Sequence, residues 1–81
     1  MNLNHLEYFR VLAHLEHYTQ AAKELSITQP SLSHAISMLE KELGTPLFEK
    51  QGRNVRLTRY GRFFLTYVEQ ALDEIKLGEQ K

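Results

Sequence analysis

The stretch Thr19-Gln20-Ala21-Ala22-Lys23-Glu24-Leu25-Ser26-Ile27-Thr28-Gln29-Pro30-Ser31-Leu32-Ser33-His34 decides the fold. Thr19 is a suitable N-cap for a short helix through Leu25, and Ala21 and Ala22 are small enough to let another helix backbone approach. Ser26, Ile27 and Thr28 form a tight turn. Thr28 caps the next helix, and Pro30 lies in its first turn, where a missing amide hydrogen costs nothing. Gly44 followed by Pro46 ends that helix, which spans 29–43. Leu32, Ile36, Leu39 and Leu43 form its buried stripe, while Pro30, Ser33, His34, Ser37 and Lys41 occupy the opposite side. Two helices joined by a three-residue turn, the second exposing short polar side chains near its start, form the layout that places a helix in the DNA major groove.

Upstream, Asn2 caps a helix over 3–15 in which Leu3, Leu6, Phe9, Leu12 and Ala13 share one face. Downstream, two extended runs at 47–50 and 55–57 flank Gln51, Gly52, Arg53 and Asn54, residues that tolerate tight turns, so a hairpin with Arg53 at its tip is expected. Thr58 caps a last helix to about residue 76. Its apolar positions Phe64, Tyr67, Val68, Ala71, Leu72 and Ile75 make a stripe wider than one small core needs, so part of it is expected to meet another chain. Gly78 and the polar residues Glu79, Gln80 and Lys81 read as the start of a linker.

At 81 residues and 42% hydrophobic content the chain can bury one modest core. No apolar run is long enough to cross a bilayer and no secretory signal is apparent, so a cytoplasmic protein with no membrane partner is expected. Without cysteine, disulfides, thiolate metal sites and cysteine nucleophiles are excluded. The formal net charge of zero argues against a nucleic-acid partner, but its distribution does not. Five of the 10 basic Lys and Arg side chains, Lys50, Arg53, Arg56, Arg59 and Arg62, fall in one stretch, and no acid occurs from Gln51 to Val68. Such a stripe suits a phosphate-facing edge, and it also suits a solvated basic loop.

Gln29 can make paired hydrogen bonds to adenine, Ser33 can donate or accept, and His34 can donate to a guanine edge or a phosphate. Arg53 suits the negative potential of a narrow minor groove. His14 and His17 are one helical turn apart, but two ligands do not make a metal site. Tyr8, Phe9, Phe63 and Phe64 have a helical spacing that favours packing between the first and last helices, in the core or a dimer interface, over a stacking platform for bases. Arg62 is placed either to reach phosphate or to pair with an acid of its own helix. An enzyme fails on inventory, with no glycine-rich phosphate loop, nucleophile elbow or clustered carboxylate pair. The remaining rival is a helical protein-interaction module, which would show no salt-dependent DNA binding.

Ala21-Ala22, Thr28-Gln29-Pro30-Ser31-Leu32-Ser33, Leu39-Glu40, Leu43-Gly44, Pro46-Leu47-Phe48 and Leu57-Thr58 with Gly61 together resemble the N-terminal domain of LysR-type bacterial transcription regulators, over nearly the whole chain. That many positions at matched spacing are far more specific than a bare helix-turn-helix pattern. The resemblance implies a mainly α, winged helix-turn-helix fold: a three-helix core with a short β-hairpin wing at 1–58, then a dimerisation and linker helix at 59–81. It implies sequence-specific binding to interrupted palindromes in double-stranded DNA, and a homodimer through antiparallel last helices. A small-molecule effector would bind only in a separate C-terminal domain, and full-length chains would assemble as tetramers. No cofactor is implied. Family DNA contacts fall on Gln29, Pro30, Ser31, Ser33 and His34 in the recognition helix and on Arg53 in the wing, with Thr28 and Lys50 as further phosphate candidates. Two positions depart from the family pattern. His34 stands where many members have arginine, replacing a permanent bidentate charge with a group that titrates near neutrality. Glu16-His17 replaces a frequent Gly-Ser pair, which would lengthen the first helix and leave His17 to supply a phosphate contact.

Overall fold

A computed structural model describes all 81 residues. The chain forms α1 (Leu3–Leu15), α2 (Tyr18–Leu25), α3 (Gln29–Leu43), β1 (Phe48–Gln51), β2 (Asn54–Leu57) and α4 (Arg59–Glu79). α1, α2 and α3 enclose one core, the two strands form an antiparallel hairpin, and α4 returns across α1. Phe9, Leu12, Leu32, Leu39 and Leu47 are fully buried at the centre, one or two from each of α1, α3 and the approach to the wing. Phe9 meets the ring of Phe48 edge-on at 5.6 Å and that of Phe64 at the same distance, so one aromatic side chain ties α1 to both the wing and α4.

Caps set the helix starts. Asn2 Oδ1 accepts from the Asn4 amide at 2.7 Å, Thr28 Oγ1 from that of Ser31 at 3.2 Å, and Thr58 Oγ1 from that of Gly61 at 2.9 Å. α2 departs from the sequence reading: its N-cap is His17, whose Nδ1 accepts from the Gln20 amide at 3.2 Å, while Thr19 lies inside the helix. The first helix is not lengthened either. It stops at Leu15 because Glu16 turns left-handed at φ 51, its amide bonding back to Leu12. That turn aims Glu16 at the wing. Its carboxylate accepts from the Leu57 amide at 2.9 Å, and its carbonyl accepts from the Val55 amide at 3.4 Å.

The hairpin is one residue tighter at each side of its loop than the sequence suggested. Gln51 pairs with Asn54, leaving Gly52 and Arg53 as a two-residue turn with Gly52 at φ 63. A positive φ at the first turn position suits glycine and matches the twist of the strands. The wing is held at its base by Glu40 of α3, whose Oε2 accepts from the amides of Leu47 at 2.7 Å and Phe48 at 3.3 Å.

α4 runs 21 residues and continues through Gly78 to Glu79, past the end near residue 76 that the sequence suggests. Its apolar stripe divides into two faces. Val68, expected to meet another chain, is only 3% exposed and belongs to the domain's own core, with Phe64 and Leu72 half-buried beside it. The reason is the crossing with α1, fastened by Arg10 to Asp73 at 3.6 Å and His14 to Glu69 at 3.2 Å, which turns these residues inward. Tyr67, Ala71 and Ile75 stay exposed, as does Phe63, which is therefore absent from the core, one of the two places expected for it, the other being a dimer interface; these four recur every four residues. Leu3, read as part of α1's inner face, is also exposed.

Candidate nucleic-acid interface

Because Leu32, Ala35, Ile36 and Leu39 turn inward, Pro30, Ser33, His34, Ser37 and Lys41 of α3 are all exposed. The start of α3 and the wing enclose an open concavity of about 760 Å³, with Gln29, Pro30 and Ser33 on one side and Lys50 and Arg53 on the other. Tyr18 and Glu40 form part of its lining between them. Burial, and then the nearby Glu40 carboxylate, raise the Tyr18 phenol above its ordinary value, so it remains a hydrogen-bond donor facing this space.

Of the clustered cations, Arg56 is held across the hairpin by Glu49 at 2.8 Å. Lys50, Arg53, Arg59 and Arg62 enter no ion pair, which for Arg62 removes the pairing with an acid of its own helix. The positive charge of the stretch therefore stays available at the wing and at the beginning of α4 rather than being neutralised internally.

The sequence-predicted residues separate by what their side chains do. Gln29, Pro30, Ser33, Lys50 and Arg53 come together around the concavity. His34 is exposed on α3 but does not line it. Thr28 and Ser31 face each other, the Thr28 hydroxyl donating to Ser31 Oγ at 2.9 Å, so both hydroxyls serve the helix start. His14 bonds to Glu69 and His17 caps α2, so the two histidines serve different elements instead of a shared ligand.

Three residues that sequence reading did not place in the site belong to its construction. Glu16 and Glu40 anchor the wing, and Thr19 Oγ1 accepts from Gln29 Nε2 at 2.9 Å. Helical periodicity orders residues within one helix and carries no signal for such contacts between elements. The Leu39-Glu40 pair stands out in the sequence as a motif, but only the fold shows Glu40 accepting from the Leu47 and Phe48 amides.

No helix is long and apolar enough to cross a membrane. The family model described as the bacterial regulatory helix-turn-helix protein, lysR family, matches residues 3–62. The chain is 48% identical over its full 81 residues to the uncharacterised HTH-type transcriptional regulator YybE of Bacillus subtilis (strain 168), of which it spans only 28%. The crystal structure of the BenM DNA-binding domain with catB site 1 DNA superposes with a TM-score of 0.93 at 39% identity, covering 99% of this chain and 89% of that one. The complex of the CbnR DNA-binding domain with DNA gives 0.94 at 30% identity, covering 99% and 92%. With its mainly helical winged fold, the chain belongs to the LysR family of bacterial regulatory helix-turn-helix proteins.

Proposed function

We propose that this chain is the DNA-binding module of a longer cytoplasmic transcription regulator and that it binds double-stranded DNA sequence-specifically as a homodimer. The carrying observation is the concavity that joins the exposed start of α3 to the unpaired cations Lys50 and Arg53 of the wing. α3 enters the major groove, where Gln29, Ser33 and His34 face base edges, with Pro30 and Ser31 alongside and Thr28 at the cap. Arg53 enters the adjacent minor groove, and Lys50 reaches phosphate.

A two-fold dimer would present two such surfaces to an interrupted palindrome, with half-site spacing fixed by the paired α4 helices. The exposed Tyr67, Ala71 and Ile75, with Phe63, supply the face for that pairing, whereas Phe64, Val68 and Leu72 support it from the core side. The two functional parts are the winged unit at 1–58 and the helix at 59–81. A small-molecule effector would act through a C-terminal domain outside these residues, in an assembly that is tetrameric at full length.

Selection of this chain against a randomised duplex pool at two salt concentrations, with sequencing of the bound fraction, tests the reading. Enrichment of an interrupted palindrome, with affinity falling steeply as salt rises, is expected. Binding with no enriched sequence would contradict specificity, and no binding would favour a protein-interaction module.

A further inference from the structure

Gln29 Nε2 donates to Thr19 Oγ1 at 2.9 Å, linking the first turn of α2 to the first residue of α3. Both side chains are exposed, so in the free protein this bond competes with water and contributes little. Under a docked duplex water is displaced, and the same bond gains strength.

A glutamine amide has one acceptor oxygen and two N–H donors. With one N–H directed to Thr19, Gln29 offers its Oε1 and a single remaining N–H. That donor and acceptor pair matches adenine, which presents N6–H2 and N7 in the major groove, and lacks the two donors that guanine O6 and N7 require. The Thr19 hydroxyl proton is not used within the chain, unlike those of Thr28, Thr58 and Thr66. Once that proton is given to a phosphate oxygen, the hydroxyl can only accept from Gln29, and the amide cannot rotate to present two donors. Thr19 is also free of structural duty at the start of α2, because His17 supplies the cap.

We infer that Thr19 is a positioning residue that fixes the polarity of the Gln29 amide and so sets the preference for adenine at the base Gln29 faces. This rests on the proposed placement of Gln29 in the major groove. The chain and its Thr19→Val, Thr19→Ser, Gln29→Ala and Thr19→Val/Gln29→Ala variants are selected against one randomised duplex pool, and Kd is then measured on duplexes differing by single base pairs. Thermal unfolding of each variant confirms that it is folded.

Thr19→Val is expected to lower the preference for A·T over G·C about five- to tenfold at the one position per half-site that Gln29→Ala also flattens. Thr19→Ser keeps the preference within about twofold, because the hydroxyl remains. Thr19→Val adds no further loss of preference on the Gln29→Ala background. Loss of preference in Gln29→Ala but not in Thr19→Val overturns the positioning role and leaves the base reading standing. A uniform loss of affinity in Thr19→Val, with preference unchanged, also overturns it and marks Thr19 as a phosphate contact only. If Gln29→Ala flattens no position, the base reading falls and the positioning role falls with it.

Discussion

Gly61, in the first turn of α4, lies directly against the entry to the wing. A Cβ built on it would run into the Leu47 carbonyl oxygen and lie 3.0 Å from Leu57 Cδ2. The obstacle is mainly backbone, and that same carbonyl accepts from the Thr58 amide at 2.9 Å, so it cannot withdraw without breaking the start of α4. Gly61→Ala is therefore expected to destabilise the domain by about 3 kcal/mol, at the upper end for overpacking, as measured by denaturant unfolding. Glu16 carries the opposite conflict. Its left-handed φ of 51 costs a side-chain-bearing residue roughly 1 kcal/mol, while its carboxylate satisfies the Leu57 amide. Glu16→Ala keeps the strain and loses the acceptor, and should cost about 2 kcal/mol. Glu16→Gly relieves the strain and should cost about 1 kcal/mol less than alanine. An alanine variant no less stable than the glycine variant would refute this account of the turn.

Among the elements, the wing separates an arginine held within the chain from one left unpaired at its turn. Arg56 pairs with Glu49, whereas Arg53 occupies the two-residue turn without a partner. Arg53→Ala should weaken binding most on duplexes with A/T-rich flanks, while Arg56→Ala should change affinity less and lower the salt dependence little. Fluorescence titrations on two flank sequences would distinguish them. The starts of α1, α3 and α4 are legible in Asn2, Thr28 and Thr58, because short side-chain oxygens suit the cap and the apolar period begins just after each. The start of α2 is not, because a cap by His17 depends on the ring being turned to offer Nδ1, a preference that composition does not encode. The exposed start of α3 is legible for the same reason as the core, since both follow from helical periodicity, whereas the cationic wing is legible in turn-tolerant residues between two extended runs and in the clustering of Lys and Arg. The supports from Glu16, Glu40 and Thr19 are not, since each depends on how separate elements cross.

For the whole molecule, the fold is 43 Å along its longest axis because α4 extends past the helical core. Its exposed face, where Phe63 and Tyr67 meet edge-on at 5.1 Å, leaves two aromatic rings in water at 58% and 55% exposure. Tyr67→Glu is expected to shift sedimentation toward the monomer with little change in unfolding temperature, and to weaken binding to a two-half-site duplex far more than to one half-site. Val68→Ala should do the reverse, costing about 2 kcal/mol of stability by opening a cavity in the core. The sequence stripe joined Tyr67 and Val68 into one surface, and only the packing of α1 separates them.

If the start of α3 and the wing form one DNA-reading surface, a bound duplex must touch both at once. Backbone amide shifts in a two-dimensional NMR titration, with a selected duplex and with a scrambled one of equal length, read that contact residue by residue. The selected duplex is expected to perturb residues 29–37, Thr19 and the Gly52–Arg53 turn most strongly, and the scrambled duplex to perturb them less at equal salt. Perturbations centred on the Phe63 and Tyr67 face of α4, or equal for both duplexes, would rule out a sequence-reading surface built from α3 and the wing.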